Sequence, residues 1–318
     1  MKLKKLYELV IEKGIEQDPR GKACVKKEMQ KIKKQYDGLT EAEKEEFDKE
    51  RLTNPYSDTR ILQGTGSEEI KKVLLGIDID VAEVLLADRL NEKGQKIDLI
   101  ISHHPEGRAL AALHQVMYMQ ADIAHLNGVP INIAENLMNK RITEIERRLL
   151  PANHTKTSDA ARLLDIPLIC IHTPADNHVV TYLQNLIDKK KSDTVGEVLQ
   201  LIKEIPEYKI AIKNNAGPKI ISGSNCSRCG KVFVDMTGGT EGSKDIFKNL
   251  AQAGVGTVVC MHLSEGHLKK AKEENINVII AGHISSDTVG LNLLLDSIEK
   301  KQKLDVVQCS GFTRIKRK

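Results

Sequence analysis

The 318-residue chain has few aromatic residues and no long apolar run. Phenylalanine, tyrosine and tryptophan together make up 3% of the residues, and tryptophan is absent. Few rings are therefore available to stack on nucleic-acid bases. No stretch approaches the ~20 apolar residues that a membrane-spanning helix needs. These shortages weigh against a nucleic-acid-binding protein and against a membrane protein.

Cysteine is also infrequent, and the net charge of the chain is small. The six cysteines are dispersed, and no apolar segment typical of a signal peptide follows Met1. The pattern predicts a cytoplasmic protein that folds without disulfides. The 48 basic and 44 acidic residues give a formal net charge of +4, whereas a dedicated nucleic-acid binder is more basic. Only the tail, residues 314–318, is locally basic, and a minor hypothesis lets this tail recruit nucleic acid.

Residues 1 to about 60 are predicted to form a helical N-terminal extension. Apolar residues recur at helical spacing along this segment. Thr40 and Glu43 have the spacing of a capping box, which predicts the start of a helix. We expect these helices to cover the main domain or a neighbouring subunit. Residues 53–58 look like a linker.

Residues 61–318 are predicted to form one α/β domain. Apolar runs of strand length alternate with amphipathic stretches, which is typical of crossover units in a largely parallel sheet with flanking helices. Residues 108–127 predict a long helical stretch. Short β signals at 209–212, 219–222 and 231–235 have no long helix between them, and they predict a small mixed β part.

Three of the apolar runs end in histidine. In chain order these residues are His103 with His104, His172, and His283. An aspartate lies four residues after each of the last two, at Asp176 and Asp287. Ligands of α/β sheets bind at the carboxyl ends of the strands, and imidazole and carboxylate together suit zinc, manganese or iron. Adjacent imidazoles serve two neighbouring ions more naturally than one, so the pattern predicts a two-metal site.

Other interpretations of these residues are open at this stage. A His-His-Pro sequence also arises by chance. Asp176 and Asp287 could each cap a helix, because an anion is favoured at a helix N-terminus. We expect the three histidine-bearing strand ends to lie in one sheet, and two of them have an aspartate at the same spacing. Chance and capping do not account for this pattern.

The order of these motifs resembles the Nif-three-like dinuclear metal-centre proteins, also known as GTP cyclohydrolase 1 type 2 homologues. The motifs are His-His-Pro at 103–105, His-Thr-x-x-Asp at 172–176 and Gly-His-x-x-x-acid at 282–287, within roughly residues 70–318. The resemblance implies a Nif-three-like α/β fold, a homo-oligomer that is often a hexamer, and two divalent ions, which could be zinc, iron, manganese or nickel. The ligands it implies are His103, His104, Asp176, His283 and Asp287.

The chain departs from the family's pattern in four places, one of which is the pair Pro174 and Ala175 in place of the family's usual residues before Asp176. Asp287 stands where the family usually has glutamate, so its carboxylate is one methylene shorter. The interval between His103 and His172 is longer than in the family, and we expect a helical insertion over the site at about 107–165. The N-terminal helices also look additional.

The same resemblance implies a metal-dependent hydrolase of a small or nucleotide-like substrate. His262, Glu265 and His267 are the candidate catalytic residues, because they fall near the predicted site and could move protons. The alternative function is non-enzymatic: an oligomeric ring whose metals serve structure, storage or partner recognition. Neither a membrane nor a nucleic acid is an expected partner.

Two further motifs favour simple structural interpretations. Cys226-x-x-Cys229 is half of a zinc knuckle without a second pair, so a turn is favoured. The segment 237–243 could cradle an anion, but it lacks the lysine of a nucleotide-binding loop, and again a turn is favoured. The remaining histidines are expected to be ordinary surface or core residues: His114, His125, His154 and His178.

Overall fold

The computed structural model describes residues 1–317 and confirms the α/β class; nine strands of this part form two sheets. The strands are β1 (Thr59–Gln63), β2 (Lys72–Gly76), β3 (Leu99–Ser102), β4 (Leu168–Ile171), β5 (Lys219–Ser222), β6 (Lys231–Asp235), β7 (Val255–Cys260), β8 (Asn277–Ile280) and β9 (Asp305–Gln308). The helices are α1 (Leu3–Glu16), α2 (Lys22–Asp37), α3 (Glu41–Glu46), α4 (Val81–Glu92), α5 (Gly107–Ala111), α6 (Leu113–Val116), α7 (Met119–Leu126), α8 (Ile131–Leu149), α9 (Lys156–Leu163), α10 (Thr173–Lys190), α11 (Val195–Lys203), α12 (Pro206–Lys213), α13 (Ile246–Gln252), α14 (Glu265–Glu273) and α15 (His283–Glu299), with a short 3-10 helix at Lys49–Leu52. None of the described helices is both long enough and apolar enough to cross a bilayer.

The strand order is β1-β4-β3-β2-β9 in the first sheet and β5-β8-β7-β6 in the second. β1 pairs antiparallel with β4, and β5 pairs antiparallel with β8; the other pairs are parallel. The predicted largely parallel pairing is therefore confirmed, and the antiparallel strands are the edge strands β1 and β5. Of the predicted mixed β part, 219–222 is the antiparallel strand β5 and 231–235 is the parallel strand β6. The histidine-bearing strand ends were expected in one sheet, but they come from both: β3 and β4 belong to the first, and β8 belongs to the second.

Helices α10 and α15 lie between the two sheets. Leu291 and Leu295 of α15 pack in one core with the first sheet, and Val179 and Leu183 of α10 pack in another core with the second sheet. Helices α4 and α9 cover the outer face of the first sheet, whereas α7, α8, α13 and α14 cover the outer face of the second. The two central helices thus bring the carboxyl ends of strands from both sheets together.

The central helices approach each other closely at Gly290. A Cβ atom at this position would lie 2.4 Å from the carbonyl oxygen of Ala175. This neighbour is backbone, which cannot move aside as the end of a flexible side chain can. Ala175 precedes Asp176, and Gly290 follows Asp287 by less than one turn. The contact therefore sets the separation of these two carboxylates.

Helix α1 covers the main domain, which is one of the two positions expected for the N-terminal helices. Its residues Leu3, Leu6 and Val10 are buried in the core formed by the first sheet, α10 and α15. The capping box predicted for Thr40 and Glu43 is present at the start of α3.

The structure corrects the β signal at 209–212, which belongs to helix α12. Pro206 occupies the first turn of this helix, where a missing backbone N–H is not needed. Tyr208 and Ala211 are buried on one helical face. Lysine and isoleucine alternate over too few positions to separate a strand period from a helical one. The long helical stretch at 108–127 is helical, but it is divided into α5, α6 and α7.

The segment 53–58, expected to be a linker, is mostly buried, with Thr53 its exposed residue. Asn54 donates from Nδ2 to the carbonyl oxygen of Thr59 at 2.8 Å and accepts the backbone N–H of Tyr56 at 2.8 Å. Asp58 is fully buried at the end of the segment. The polar side chains satisfy the backbone locally, so this irregular segment can cross the interior.

The described part of the basic tail is held by acidic side chains. Arg314 Nη2 lies 2.5 Å from Asp296 Oδ1, and Arg317 Nη2 lies 2.8 Å from Glu207 Oε1. Lys318 lies outside the described residues. Pairing leaves less free positive charge for a nucleic acid than the sequence of the tail indicates.

Replacing Gly290 with alanine is expected to lower the free energy of unfolding by about 1–3 kcal/mol, because the new methyl group forces α10 and α15 apart. Gly266→Ala on α14 is the matched control, since the nearest atom to its added Cβ lies at 3.7 Å. In a helix that control should be neutral or stabilising by up to about 1 kcal/mol. Urea unfolding measures both; equal stability of Gly290→Ala and the parent would contradict the close contact.

Candidate metal centre

Four histidines and two aspartates lie together where three strands end. They are His103, His104, His172, Asp176, His283 and Asp287. β3 ends at Ser102 and the chain bends at the next two residues, as two adjacent imidazoles in one site require. β4 and β8 each lead into a long helix, with histidine at its beginning and aspartate one turn later.

The Nε2 atoms of the histidines face the carboxylates. His103 Nε2 lies 3.4 Å from Asp176 Oδ1 and 3.5 Å from Asp287 Oδ1. The other oxygen of Asp287, Oδ2, lies 3.4 Å from His104 Nε2 and 3.7 Å from His283 Nε2. The two oxygens of Asp287 therefore face different histidines.

The opposite ring nitrogens are held from outside the cluster. His104 Nδ1 contacts Asp78 Oδ1 at 2.6 Å, and His172 Nδ1 contacts Asp58 Oδ2 at 2.8 Å. His103 Nδ1 faces a backbone carbonyl oxygen at 3.3 Å. Metal-binding histidines usually donate the second ring N–H to such an acceptor, which fixes the tautomer and leaves Nε2 free. The outer contacts thus orient these rings for binding through Nε2.

The aspartates do not cap their helices. Neither α10 nor α15 begins with a side-chain cap hydrogen bond. Asp176 instead faces His103 with one oxygen, and its other oxygen lies 3.7 Å from His172 Nε2. The described structure therefore favours the metal interpretation of the two aspartates over the capping interpretation.

Several polar atoms of the cluster are buried without a hydrogen-bond partner among residues 1–317. These atoms are His103 Nε2, His104 Nε2, Asp176 Oδ1 and both carboxylate oxygens of Asp287. Unpaired buried polar groups cost free energy, so native proteins rarely retain them without a reason. Imidazole nitrogens and carboxylate oxygens in one place form a donor set that fits a divalent cation.

The electrostatics of the cluster also favour positive charge. Burial alone would lower the pKa of His103, but the carboxylates of Asp287 and Asp176 raise it to about 10. Burial would raise the pKa of Asp287, but the neighbouring imidazoles, above all that of His103, hold it far below its usual range. A buried carboxylate that remains ionised attracts a proton or a metal ion to its surroundings.

Three sets of side chains could each hold a metal ion, since the ligand atoms within each set lie within 4.8 Å of one another. The sets are His103 with His104 and His172, His104 with His283 and Asp287, and His103 with Asp176 and Asp287. The five ligands expected from sequence are thus brought together. His172 joins them, although only its position at a strand end was noted.

A cleft of about 80 Å³ opens beside the cluster and is lined by His283 and His262. Their rings are tilted by 46° relative to each other, with centroids 4.8 Å apart. Glu241 Oε1 lies 3.3 Å from His262 Nδ1 and accepts the backbone N–H of Ser264 at 2.6 Å. Burial would raise the pKa of Glu241, but its contacts with His262 and His267 lower it to about 2. An ionised carboxylate thus orients an imidazole beside the candidate metal centre.

Of the predicted catalytic residues, His262 and His267 line this cleft, and Glu265 does not. His267 Nδ1 contacts Ser264 Oγ at 2.7 Å, and its Nε2 contacts a backbone carbonyl oxygen at 3.0 Å. Both of its nitrogens are therefore engaged. Glu265 is exposed at the start of α14 and lines a separate surface groove. The glutamate that the structure places in the cleft is Glu241, and Asp176 and Asp235 line it as well.

The segment 237–243 forms a wall of this cleft and is held by the helices between β3 and β4. Gln120 Nε2 on α7 donates to the carbonyl oxygens of Gly238 at 2.7 Å and Thr240 at 2.6 Å. Arg141 Nε on α8 donates to the next carbonyl oxygen at 3.0 Å. The segment is a turn clamped from one side, which fits the interpretation favoured from sequence.

Sequence reasoning missed both carboxylates that orient the histidines. Asp78 follows β2, so its position at a strand end was a usable signal. Asp58 lies in the segment taken for a linker, and no pattern distinguished it. Glu241 lies in a glycine-containing segment that was interpreted through its backbone alone.

The Cys226-x-x-Cys229 motif lies apart from the metal centre. Cys226 is exposed in a turn, and Cys229 is buried with its Sγ 2.9 Å from the carbonyl oxygen of Ser192. Neither cysteine belongs to a potential metal-binding group in the described part of the chain. This placement fits the turn interpretation.

Comparisons with models of known protein families and with curated proteins found no match for the chain. Among solved structures it is similar to a NIF3 superfamily protein from Sphaerobacter thermophilus, with 28% identity and a TM-score of 0.70, over 80% of this chain and 91% of that chain. It is also similar to reduced HcgD from Methanocaldococcus jannaschii, with 16% identity and a TM-score of 0.50, over 79% of this chain and 87% of that chain.

The structural similarity to the Sphaerobacter protein and the clustering of the histidine and aspartate motifs agree with the resemblance seen in the sequence. The metal interpretation of these motifs fits this fold. In fold and in the clustering of these motifs, the chain is similar to the NIF3 superfamily.

Proposed function

We propose that this protein binds two divalent metal ions and uses them as a metal-dependent hydrolase of a small or nucleotide-like substrate. The observation that carries the proposal is the group of buried, unpartnered nitrogen and oxygen atoms around Asp287. A divalent cation would satisfy both the imidazole lone pairs and the carboxylate oxygens, which face one another at 3.4–3.7 Å.

The two ions would lie on opposite sides of Asp287. One would be held by His103, Asp176 and Asp287 Oδ1, with His172 as a further ligand beside Asp176. The other would be held by His104, His283 and Asp287 Oδ2. We divide the ligands in this way because Asp287 Oδ1 faces His103, whereas Asp287 Oδ2 faces His104 and His283. Asp287 would bridge the ions although it is shorter than the glutamate usual in the family.

Bound ions would act as Lewis acids that polarise a substrate group and make water a better nucleophile at neutral pH. The chain's own residues would supply the rest. Asp58 and Asp78 keep two imidazoles oriented, and Glu241 keeps His262 at the edge of the cleft. His262 Nδ1 faces Glu241, so its Nε2 is the atom available to take or deliver a proton.

A site with oxygen and nitrogen donors and no thiolate can bind several metals. The proposal therefore covers zinc, iron, manganese and nickel. The homo-oligomer expected from the family resemblance, a hexamer, also belongs to it. Light scattering on the purified protein measures that state directly.

The double variant His103→Ala, His104→Ala is expected to lose bound metal, because each of the three possible metal sets contains at least one of these histidines. Elemental analysis of protein purified without chelators measures the loss. His125→Ala, which removes an exposed histidine outside the sets, is the matched control and should retain the parent's metal content. Equal metal in the double variant and the parent would end the two-metal proposal.

Asp58→Asn should lower metal affinity about 10- to 100-fold, because the carboxylate that orients His172 loses its charge. Asp78→Asn tests the same effect at His104. Competition with a chromophoric chelator measures both affinities, and thermal unfolding checks that each variant folds. Unchanged affinity in Asp58→Asn, beside reduced affinity in Asp78→Asn, would remove His172 from the ligand set.

Metal-dependent turnover is expected on a panel of phosphate esters, nucleotides and cyclic amides. Glu241→Gln should lower kcat about 10²-fold or more without lowering metal content, because it weakens the orientation of a proton-carrying imidazole. Paired measurements of kcat, KM and metal content separate this effect from loss of the site. Absence of metal-dependent turnover across the panel would favour a non-enzymatic metal-binding protein.

A further inference from the structure

A second cavity adjoins His283, which also lines the cleft described above. Its volume is about 280 Å³, near the lower end of the range for small-molecule pockets. The apolar residues that line it are Ile210 and Ala211 of α12, Ile284 of α15, and Ile315 near the C-terminus. We call this cavity the apolar groove. Because His283 borders both spaces, the apolar groove adjoins the candidate metal centre.

The apolar groove presents hydrocarbon surface to solvent. Ile210 is 37% exposed and Ile284 is 39% exposed. Two of the neighbouring hydroxyl groups are already paired, since Thr288 Oγ1 donates to the Ile284 carbonyl oxygen at 2.7 Å and Ser285 Oγ donates to that of Gly282 at 3.3 Å. A ligand in this groove therefore gains chiefly from burial of apolar surface.

The charged residue at the groove is also paired. Glu207 is buried, with its Oε1 accepting from Asn292 Nδ2 at 3.0 Å and lying 2.8 Å from Arg317 Nη2. Its charge is thus compensated from within the protein. The Glu207 carboxylate therefore needs no cationic ligand. An uncharged hydrocarbon group is the occupant that suits the isoleucines.

We propose that the apolar groove binds an alkyl or acyl chain of the substrate while the polar head of the same molecule lies at the metal centre. This inference rests on the proposed function, because the head group needs the metals. A stable protein partner would need about 800 Å² of surface on each side. A concave cavity of about 280 Å³ suits a short chain of a small molecule better.

The experiment measures the affinity of zinc-loaded protein for a series of hydroxamates, from acetohydroxamate to octanohydroxamate, by titration calorimetry. The hydroxamate group binds zinc, and the alkyl chain probes the groove. Affinity is expected to rise about fourfold for each methylene group that becomes buried. An affinity that does not change with the length of the alkyl chain would overturn the proposal. That result is also expected if a second copy of the protein covers the groove.

Ile210→Arg should flatten the series, because the longer charged side chain occupies the groove. Leu163→Arg is the matched control, since Leu163 is 73% exposed on α9, outside the groove, and it should keep the parent's chain-length dependence. The same dependence in Ile210→Arg as in the parent would overturn the groove assignment.

Zinc content is measured for every variant. Loss of both zinc and acetohydroxamate binding in the parent would overturn the metal centre itself, whereas normal zinc with a flat series would overturn only the groove.

Discussion

The close packing of α10 against α15 is the constraint on which the metal centre depends. Each helix begins at a strand of a different sheet, and each carries one aspartate about one turn after its leading histidine. Their separation is small because Gly290 has no side chain to hold the backbone of Ala175 away. With a larger residue at this point, Asp176 and Asp287 could not both lie within 3.5 Å of His103 Nε2. Helix packing, rather than either sheet alone, therefore creates the ligand set.

The same arrangement concentrates charge in the interior. Asp287 has no exposed side-chain surface, and a buried carboxylate is costly unless a compensating charge and good contacts surround it. The imidazoles provide that compensation, and the outer carboxylates Asp58 and Asp78 add further negative charge behind two of them. A cluster with this balance attracts cations strongly. Its geometry serves binding at the expense of the stability that an apolar core would provide.

The sequence predicts the parts of this site that follow from local rules. A histidine at the end of an apolar run, followed by an aspartate four residues later, indicates a strand that leads into a helix with both side chains on one face. That rule brings His283 together with Asp287. The α/β class and the largely parallel pairing follow from alternation of apolar runs and amphipathic stretches in the same way.

Long-range packing accounts for what the sequence does not reveal. Nothing local indicates that β3 and β8 belong to separate sheets, since both read as buried strands. Asp58 acts from a segment without regular structure, and its role depends on contact with His172, more than a hundred residues away. Glu241 replaces Glu265 in the cleft because Gln120 and Arg141 fix the course of a loop. The sequence pattern at 209–212 is simply too short to define a period.

The two hydrogen bonds from Gln120 hold the wall of the cleft through contacts that are distant in sequence. They join residues about 118 positions apart, and contacts of such separation incur the loop-closure entropy before they contribute to stability. The metal ligands come from strands and helices that do not include α7. Ligand clustering and completion of the cleft wall therefore depend on different sets of long-range contacts.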